Sequence, residues 1–474
     1  MSQPKSDAPA VALAGGSPAS HLLFNALSAA CANFPSAFAD SGMPASVNEF
    51  RKRYAQVLPQ FEACRLADAE ALQIAQSLVD AVQQQVVWQQ DDVEVPLAHH
   101  FETPAQPLTL STHQFAGAPG WQPTVTYQGR RWEHNQLAGL GNEMLQRGLV
   151  TPETSASLAW IQNEQLQQGV LDLSDRKIVV LGGGAEMAPT RFWLAAGAKV
   201  LWLDVAAPPE DWFNSDDLCG ELWWPEAGAD LLRQPAEILA TIRQFAAESA
   251  VDLGLYAYAP GRAREVLLTS VMNLIVDALP DEQVASVTLL VSPTTCVSLS
   301  EVDQEDLELR RRQRSGWEGA LETLGLLGRG GGSWQSAGQS IARSIVPIQG
   351  VSYQTAQYVG KILAAQVWCS RGLRVSANTA AITRTRSLSH PVFAAAFGGA
   401  AAFGVETLTP RQSRRLNGLL AVADWLHPNL PQPGRVRIHG GIHTLPYPLE
   451  AALRVAAAIG FARSPRLLGG LFKR

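Results

Sequence analysis

The chain has 474 residues, more than one typical domain holds, with 46% apolar and only 17% charged side chains. Its net charge is −6, and its one basic cluster, Arg310-Arg311-Arg312 with Arg314, follows a run of acids from Asp303 to Glu308. That balance argues against a nucleic-acid partner, and the cluster reads as a solvated helix face. The longest small-apolar run, Val392 to Val405, is too short to span a bilayer.

Five scattered cysteines (Cys31, Cys64, Cys219, Cys296, Cys369) form no C-x-x-C pair and no metal spacing with histidine. Structural thiols in a reducing cytoplasm are expected, with Cys296 the one nearest a possible cleft. The N-terminus lacks a basic stretch leading into an apolar one, so no secretory leader is expected.

Residues 1–20, rich in Ser, Pro, Ala and Gly, read as a mobile tail. Residues 21–174 read as a mainly helical N-terminal domain. Tyr54, Val57, Phe61 and Cys64 are spaced for one apolar helix face, and Leu72, Ile74, Leu78 and Val82 for a second. Prolines 96, 104, 107, 119 and 123 predict loops and a small hairpin over 91–128. Leu137 to Leu149 reads as helix, and Thr151-Pro152-Glu153 caps another that runs to about Gln168. His99-His100 has no acid or thiol at a metal spacing and reads as surface loop.

The chain is organised around Lys177 to Asp204. An apolar run, Ile178 to Leu181, predicts a buried strand; Gly182, Gly183 and Gly184 predict a tight turn. A helix carrying Phe192 and Ala195 ends at Gly197, and Val200 to Leu203 predicts a second strand ending on Asp204. Strand, glycine turn, helix, strand and acid is the order of a dinucleotide-binding unit. The turn lets a pyrophosphate approach the backbone and the helix start supplies free N–H groups. Asp204 suits ribose hydroxyls and favours NAD over NADP, whose 2′-phosphate it would repel. Met187 stands where a third small residue is usual, with Ala188 after it. The alternative is any parallel α/β crossover.

The α/β rhythm continues. Ala229 to Leu232, short and apolar around Asp230, takes the place of a third strand, and Pro235 starts a helix with Ile238, Ile242 and Phe245 on one face. Val251 to Ala257 and Val287 to Ser292 read as strands, with the helix Val266 to Leu279 between them. Residues 301–340 read as an insertion: a charged helix, then a loose loop from Arg329 to Gly338. A helix resumes near Tyr353, and Leu373 to Ala377 makes a sixth strand. Thr409-Pro410 caps a helix through Trp425, and Arg435 to Ile438 makes a last strand. The expectation is a doubly wound, mostly parallel, seven-stranded α/β sheet over 175–446, then a C-terminal helix and tail over 447–474.

This order resembles the short-chain dehydrogenase/reductase superfamily, a Rossmann fold, over roughly residues 175–445. Asp230-Leu231 is similar to that family's adenine-contacting pair, and Ser292 sits where it often places a catalytic serine. GLRVSANTAAITRT, Gly372 to Thr385, is similar to the segment that closes over the nicotinamide, and GRVRIHGG, Gly434 to Gly441, to the terminal strand. The resemblance implies cofactor contacts at Gly182, Gly183, Gly184, Glu186, Met187, Asp204, Asp230, Leu231, Ala257 and Thr383. It implies a catalytic tyrosine and lysine with Ser292. The usual Y-x-x-x-K is absent; SYQTAQYVGK offers Tyr358 three residues before Lys361, neighbours on an α-helix, and Tyr353 eight before it, nearer an enoyl-reductase spacing. A lysine ammonium beside the phenol would favour phenolate.

The activity implied is NAD(P)-dependent hydride transfer to or from a hydrophobic carbonyl or enoyl compound. The alternative is a dinucleotide-binding sensor or assembly subunit without turnover, which the distorted tyrosine–lysine spacing favours. Ser387 to Val405, with Phe393, Phe397 and Phe403, reads equally as an apolar substrate lid or as a small-residue packing helix. His439-Gly440-Gly441-Ile442-His443 reads as the end of the last strand, and the tail PRLLGGLFKR as a segment that could meet a partner subunit or a membrane surface. A homo-oligomer is possible on this reading.

Overall fold

The computed structural model describes residues 8–118, 120–166, 169–259, 261, 263–386, 391–429 and 436–470. Its centre is one seven-stranded sheet. In chain order the strands are β1 (Leu110–Gln114), β2 (Lys177–Leu181), β3 (Lys199–Leu203), β4 (Glu221–Pro225), β5 (Val251–Leu255), β6 (Val284–Val291) and β7 (Val375–Thr379). Across the sheet they run β7-β6-β5-β2-β3-β4-β1. Neighbours from β4 to β7 are parallel; β1 alone is antiparallel, against β4.

Strands such as KIVVL and KVLWL are buried beyond their first lysine because helices cover both faces. Successive side chains point to opposite faces. Val179 and Leu181 therefore join one core with the helices Pro235–Phe245 and Arg264–Ala278, while Ile178 and Val180 join the other with Leu419 and Leu420 of the helix Pro410–Leu426.

Five expectations need correction. The seventh strand is Leu110–Gln114, drawn from the N-terminal third to the opposite edge. Arg435 lies outside the described residues, and Ile438 makes only an isolated bridge to Val150. Ala229 to Leu232 is a loop after β4, held by Leu232 N–H donating to Asp230 Oδ1 at 2.9 Å. The N-terminal helices Ala19–Asn33, Val47–Ala67 and Ala71–Gln83 have no core of their own: Leu23, Phe61 and Leu78 share the core of Leu253 and Val287. Within the expected tail, Ala10–Leu13 pairs antiparallel with Val86–Gln90 because Val11 and Leu13 alternate inward. Within the insertion, Ser333–Ser336 and Gln339–Ala342 form a hairpin where a loose loop was expected, with Ala337 and Gly338 turning at positive φ.

The helices Pro391–Gly399 and Leu449–Arg463 lie in backbone contact. A Cβ on Gly460 would fall 1.8 Å from the Ala395 carbonyl oxygen, and one on Gly399 would fall 1.9 Å from that of Ala456. Among the described residues no helix is long and apolar enough to cross a membrane.

Candidate active site

A cleft of about 600 Å³ opens at the C-terminal ends of β2, β5, β6 and β7. This is where the strand order reverses, β2 having β3 on one side and β5 on the other. In open α/β sheets such a switch point is the common ligand crevice. Glu186 and Met187 border it after β2, Ala257 after β5, Ser292 and Thr294 after β6, and Thr383 after β7. Tyr353, Gln357 and Lys361 line it from one helix, and Phe393, Phe397, Leu449 and Leu453 form its apolar end.

The helix that carries the polar wall is unusual. It starts as α-helix over Val351–Gln354, is π-helical over Thr355–Leu363, and returns to α over Ala364–Ser370. A π-turn closes hydrogen bonds five residues apart and so takes roughly four to five residues per revolution. Residues at four-residue steps, Tyr353, Gln357 and Lys361, then share one face. Its neighbours support the wide turn. Gly360 lets the helix Arg264–Ala278 approach, since a Cβ there would lie 2.7 Å from Thr269 Cγ2. Asn273 Nδ2 donates to the Gly360 carbonyl at 2.7 Å.

Tyr358 therefore does not reach the cleft. Its hydroxyl donates to Glu62 Oε2 at 2.5 Å on the N-terminal helix Val47–Ala67. Glu62 is gripped by Arg65, with Nε and Nη2 donating at 2.7 and 2.8 Å. Burial, with Glu62 beside it, holds the Tyr358 phenol well above the usual range. Cys296 lies in the same buried region, where burial pushes its thiol well up, so it is no nucleophile.

The residue in the cleft is Tyr353, whose phenol faces the Ser292 and Thr294 hydroxyls. Ser292 Oγ and Thr294 Oγ1 lie 2.9 Å apart, and Thr294 donates to Gln349 Oε1 at 2.7 Å. Burial, then the charge of Glu265, push the Tyr353 phenol up, while the two hydroxyls oppose. Lys361 Nζ donates to the Leu290 carbonyl at 2.9 Å. Burial lowers its pKa and Glu265 opposes that. Gln357 Oε1 accepts from Ser292 N–H at 2.9 Å, and its Nε2 donates to Glu265 Oε1 at 2.7 Å.

Behind the Ser292–Thr294 loop stands His443, whose Nε2–H donates to the Pro293 carbonyl at 2.9 Å. Burial pushes His443 down to about 4 and His439 well below the ordinary value. Among the described residues no three His, Cys, Asp or Glu side chains are grouped to hold a metal.

The glycine turn departs from expectation. A Cβ on Gly182 would lie 2.4 Å from Ala257 Cα, and one on Gly183 would lie 2.5 Å from Trp202 Cδ2. Those glycines make room for the protein's own backbone and indole. Asp204 caps the turn, its Oδ2 accepting from Gly184 N–H at 3.0 Å and its Oδ1 from Ala206 N–H at 3.1 Å. The following helix spans only Thr190–Ala195, because Ala185 to Ala188 are used in further turns. Its first residue turns back to the glycines, Thr190 Oγ1 donating to the Gly183 carbonyl at 3.0 Å.

Of the cofactor contacts expected, Glu186, Met187, Ala257 and Thr383 line the cleft. Gly182, Gly183, Gly184, Asp204, Asp230 and Leu231 lie outside it, Leu231 being buried in the core. Of the catalytic set, Ser292, Tyr353 and Lys361 come together and Tyr358 does not. Sequence reasoning missed Glu265, Gln357 and His443. The one available signal was the four-residue spacing of Tyr353, Gln357 and Lys361. No protein-family model matches this chain, and no curated protein matches it.

Proposed function

We propose that the protein is a nicotinamide-dependent oxidoreductase that transfers hydride between the cofactor and a hydrophobic carbonyl or enoyl compound. The observation that carries this reading is the convergence of Tyr353, Lys361 and Ser292 on one cleft at the strand-order reversal. The order β4-β3-β2-β5-β6-β7 supports a Rossmann-type sheet, being the 3-2-1-4-5-6 of doubly wound dinucleotide folds.

The residues fit one half of such a cofactor. Lys361 and Tyr353 would hold the nicotinamide ribose, with Glu186, Met187 and Thr383 beside the phosphates. The adenosine end would be left to Asp204, whose two oxygens already cap the turn and which lies outside the cleft. A bound nicotinamide supplies the hydride. Tyr353, kept protonated at neutral pH, supplies a proton to the substrate oxygen, and Ser292 and Thr294 orient that oxygen. The apolar end of the cleft takes the hydrocarbon part.

The second reading, a dinucleotide-binding subunit without turnover, draws on Glu265, whose charge moves Tyr353 away from phenolate. Calorimetric titration with NADH and with NADPH, followed by single-turnover NADH oxidation against medium-chain enoyl thioesters and aldehydes, tests both. Turnover lost in Tyr353→Phe supports the enzyme. Binding without turnover supports the subunit. Binding of neither cofactor removes both readings.

A further inference from the structure

We infer that Glu265 is a positioning residue of the cleft: it is the buried counter-charge of Lys361 and, through Gln357, fixes the backbone of Ser292. This rests on the functional reading above, which gives Lys361 and Ser292 their roles.

Glu265 lies in the first turn of the helix Arg264–Ala278 and is 6% exposed. A first-turn acid on a helix is usually a surface group facing the dipole. This one is turned inward, toward the helix that carries Lys361 and Gln357. The Gln357 amide has a fixed polarity: its oxygen is taken by Ser292 N–H, so its nitrogen must find an acceptor, and Glu265 Oε1 is that acceptor at 2.7 Å. One side chain thus clamps the end of β6 to the first turn of the helix Arg264–Ala278, which precedes that strand in the chain. Ser292 is held where its hydroxyl meets Thr294 and Tyr353.

The electrostatics points the same way. Lys361 is half-buried on the cleft wall, and that burial draws its pKa down by disfavouring the charged form. Its only side-chain hydrogen bond among the described residues goes to a neutral carbonyl, that of Leu290. Glu265 is the acid whose charge opposes that shift. The ionisable groups facing Glu265 are Lys361 and Tyr353, both from helix 351–370, and Tyr258 from the loop after β5 bears on Tyr353. Burial pushes Glu265 itself up to about 7, with Lys361 and Gln357 opposing. Removing the negative charge should therefore lower the titrations of Lys361 and Tyr353 together, which a purely structural clamp would not do.

The test uses the full chain without cofactor. Protein carrying ¹³C-lysine and ¹³C-tyrosine is titrated by NMR, with Lys361→Met and Tyr353→Phe spectra giving the assignments. In Glu265→Gln, which keeps an acceptor for Gln357, the Lys361 midpoint should fall by about one unit or more, a tenfold weaker hold on its proton. Glu265→Asp should restore most of the shift. An unchanged Lys361 midpoint in a folded Glu265→Gln protein overturns the inference. Should that variant not fold, infrared spectroscopy of the unsubstituted protein decides. A carboxyl band titrating near neutrality, moved to higher pH in Lys361→Met, supports the charge coupling; no such band overturns it. No cofactor enters these measurements, so failed NADH binding would sink the functional reading and leave the charge coupling of Glu265 and Lys361 standing.

Discussion

Tyr358 and Lys361 are three residues apart on one helix, yet they serve different neighbours: Tyr358 bonds Glu62 outside the sheet, and Lys361 enters the cleft. On an α-helix the two would be adjacent. The π-helical stretch separates them and gives Tyr353 the place beside Lys361. The two tyrosines should therefore fail differently. Tyr353→Phe should cost turnover about a hundredfold or more while leaving the melting temperature nearly unchanged. Tyr358→Phe should leave the chemistry and lower stability by about 1–2 kcal/mol, since it strips a buried carboxylate of a donor. Steady-state rates and denaturant melts on both variants check this.

Glu62 and Arg65 are both buried and satisfy each other. Glu62→Gln would leave the guanidinium without its counter-charge, at a cost of about 3–5 kcal/mol. Because Glu62 and its partner Tyr358 both lie outside the cleft, turnover of the protein that stays folded should be little changed. A stability loss below 1 kcal/mol would show that the pair is more accessible to water than its burial implies.

Acid should destabilise the fold through His439 and His443. Both are held below their ordinary pKa by burial, so the unfolded chain binds their protons first. Stability should be flat above about pH 6.5 and fall as pH drops toward 4, by about 3 kcal/mol for His443 alone. The slope should shrink in His443→Gln. Urea midpoints across pH 4 to 8 measure it, and a midpoint independent of pH over that range would contradict buried, neutral imidazoles.

Asp204→Asn separates two roles. The amide can accept with only one of its two terminal atoms, so one of the Gly184 and Ala206 bonds is lost, at a cost of about 1 kcal/mol at this partly exposed site. If Asp204 also meets a ribose, NADH affinity should fall while NADPH affinity rises. Equal loss of both would assign it to the turn alone. Calorimetry with the two cofactors distinguishes the outcomes.

Much of the sheet was legible because buried parallel strands are short apolar runs bounded by glycine and polar residues, as KIVVL and VDLGL are. Caps were legible too: Thr151 and Thr409 each accept from the third residue of the helix they start, with proline following. What could not be read was non-local. Leu110–Gln114 is weakly apolar, and only its pairing with β4 makes it a strand. Val11 and Leu13 are buried because Val86–Gln90 lies beside them. The π-turn that selects Tyr353 over Tyr358 depends on Thr269 and Asn273, about 90 residues away in sequence, so no helical wheel drawn on SYQTAQYVGK alone could place its tyrosines. The glycine turn shows the opposite hazard. Its residues match a phosphate loop, but Trp202 and Ala257 take up the space that Gly182 and Gly183 leave.

The helices Ala19–Asn33, Val47–Ala67 and Ala71–Gln83 pack onto the outer side of helices 264–278 and 351–370, sharing one apolar core with them. The chain thus supplies its own cover for the helix that holds Tyr353 and Lys361. A cover joined by the same backbone cannot be diluted away, so the cleft's geometry should hold at nanomolar protein as at millimolar, independent of any association between chains.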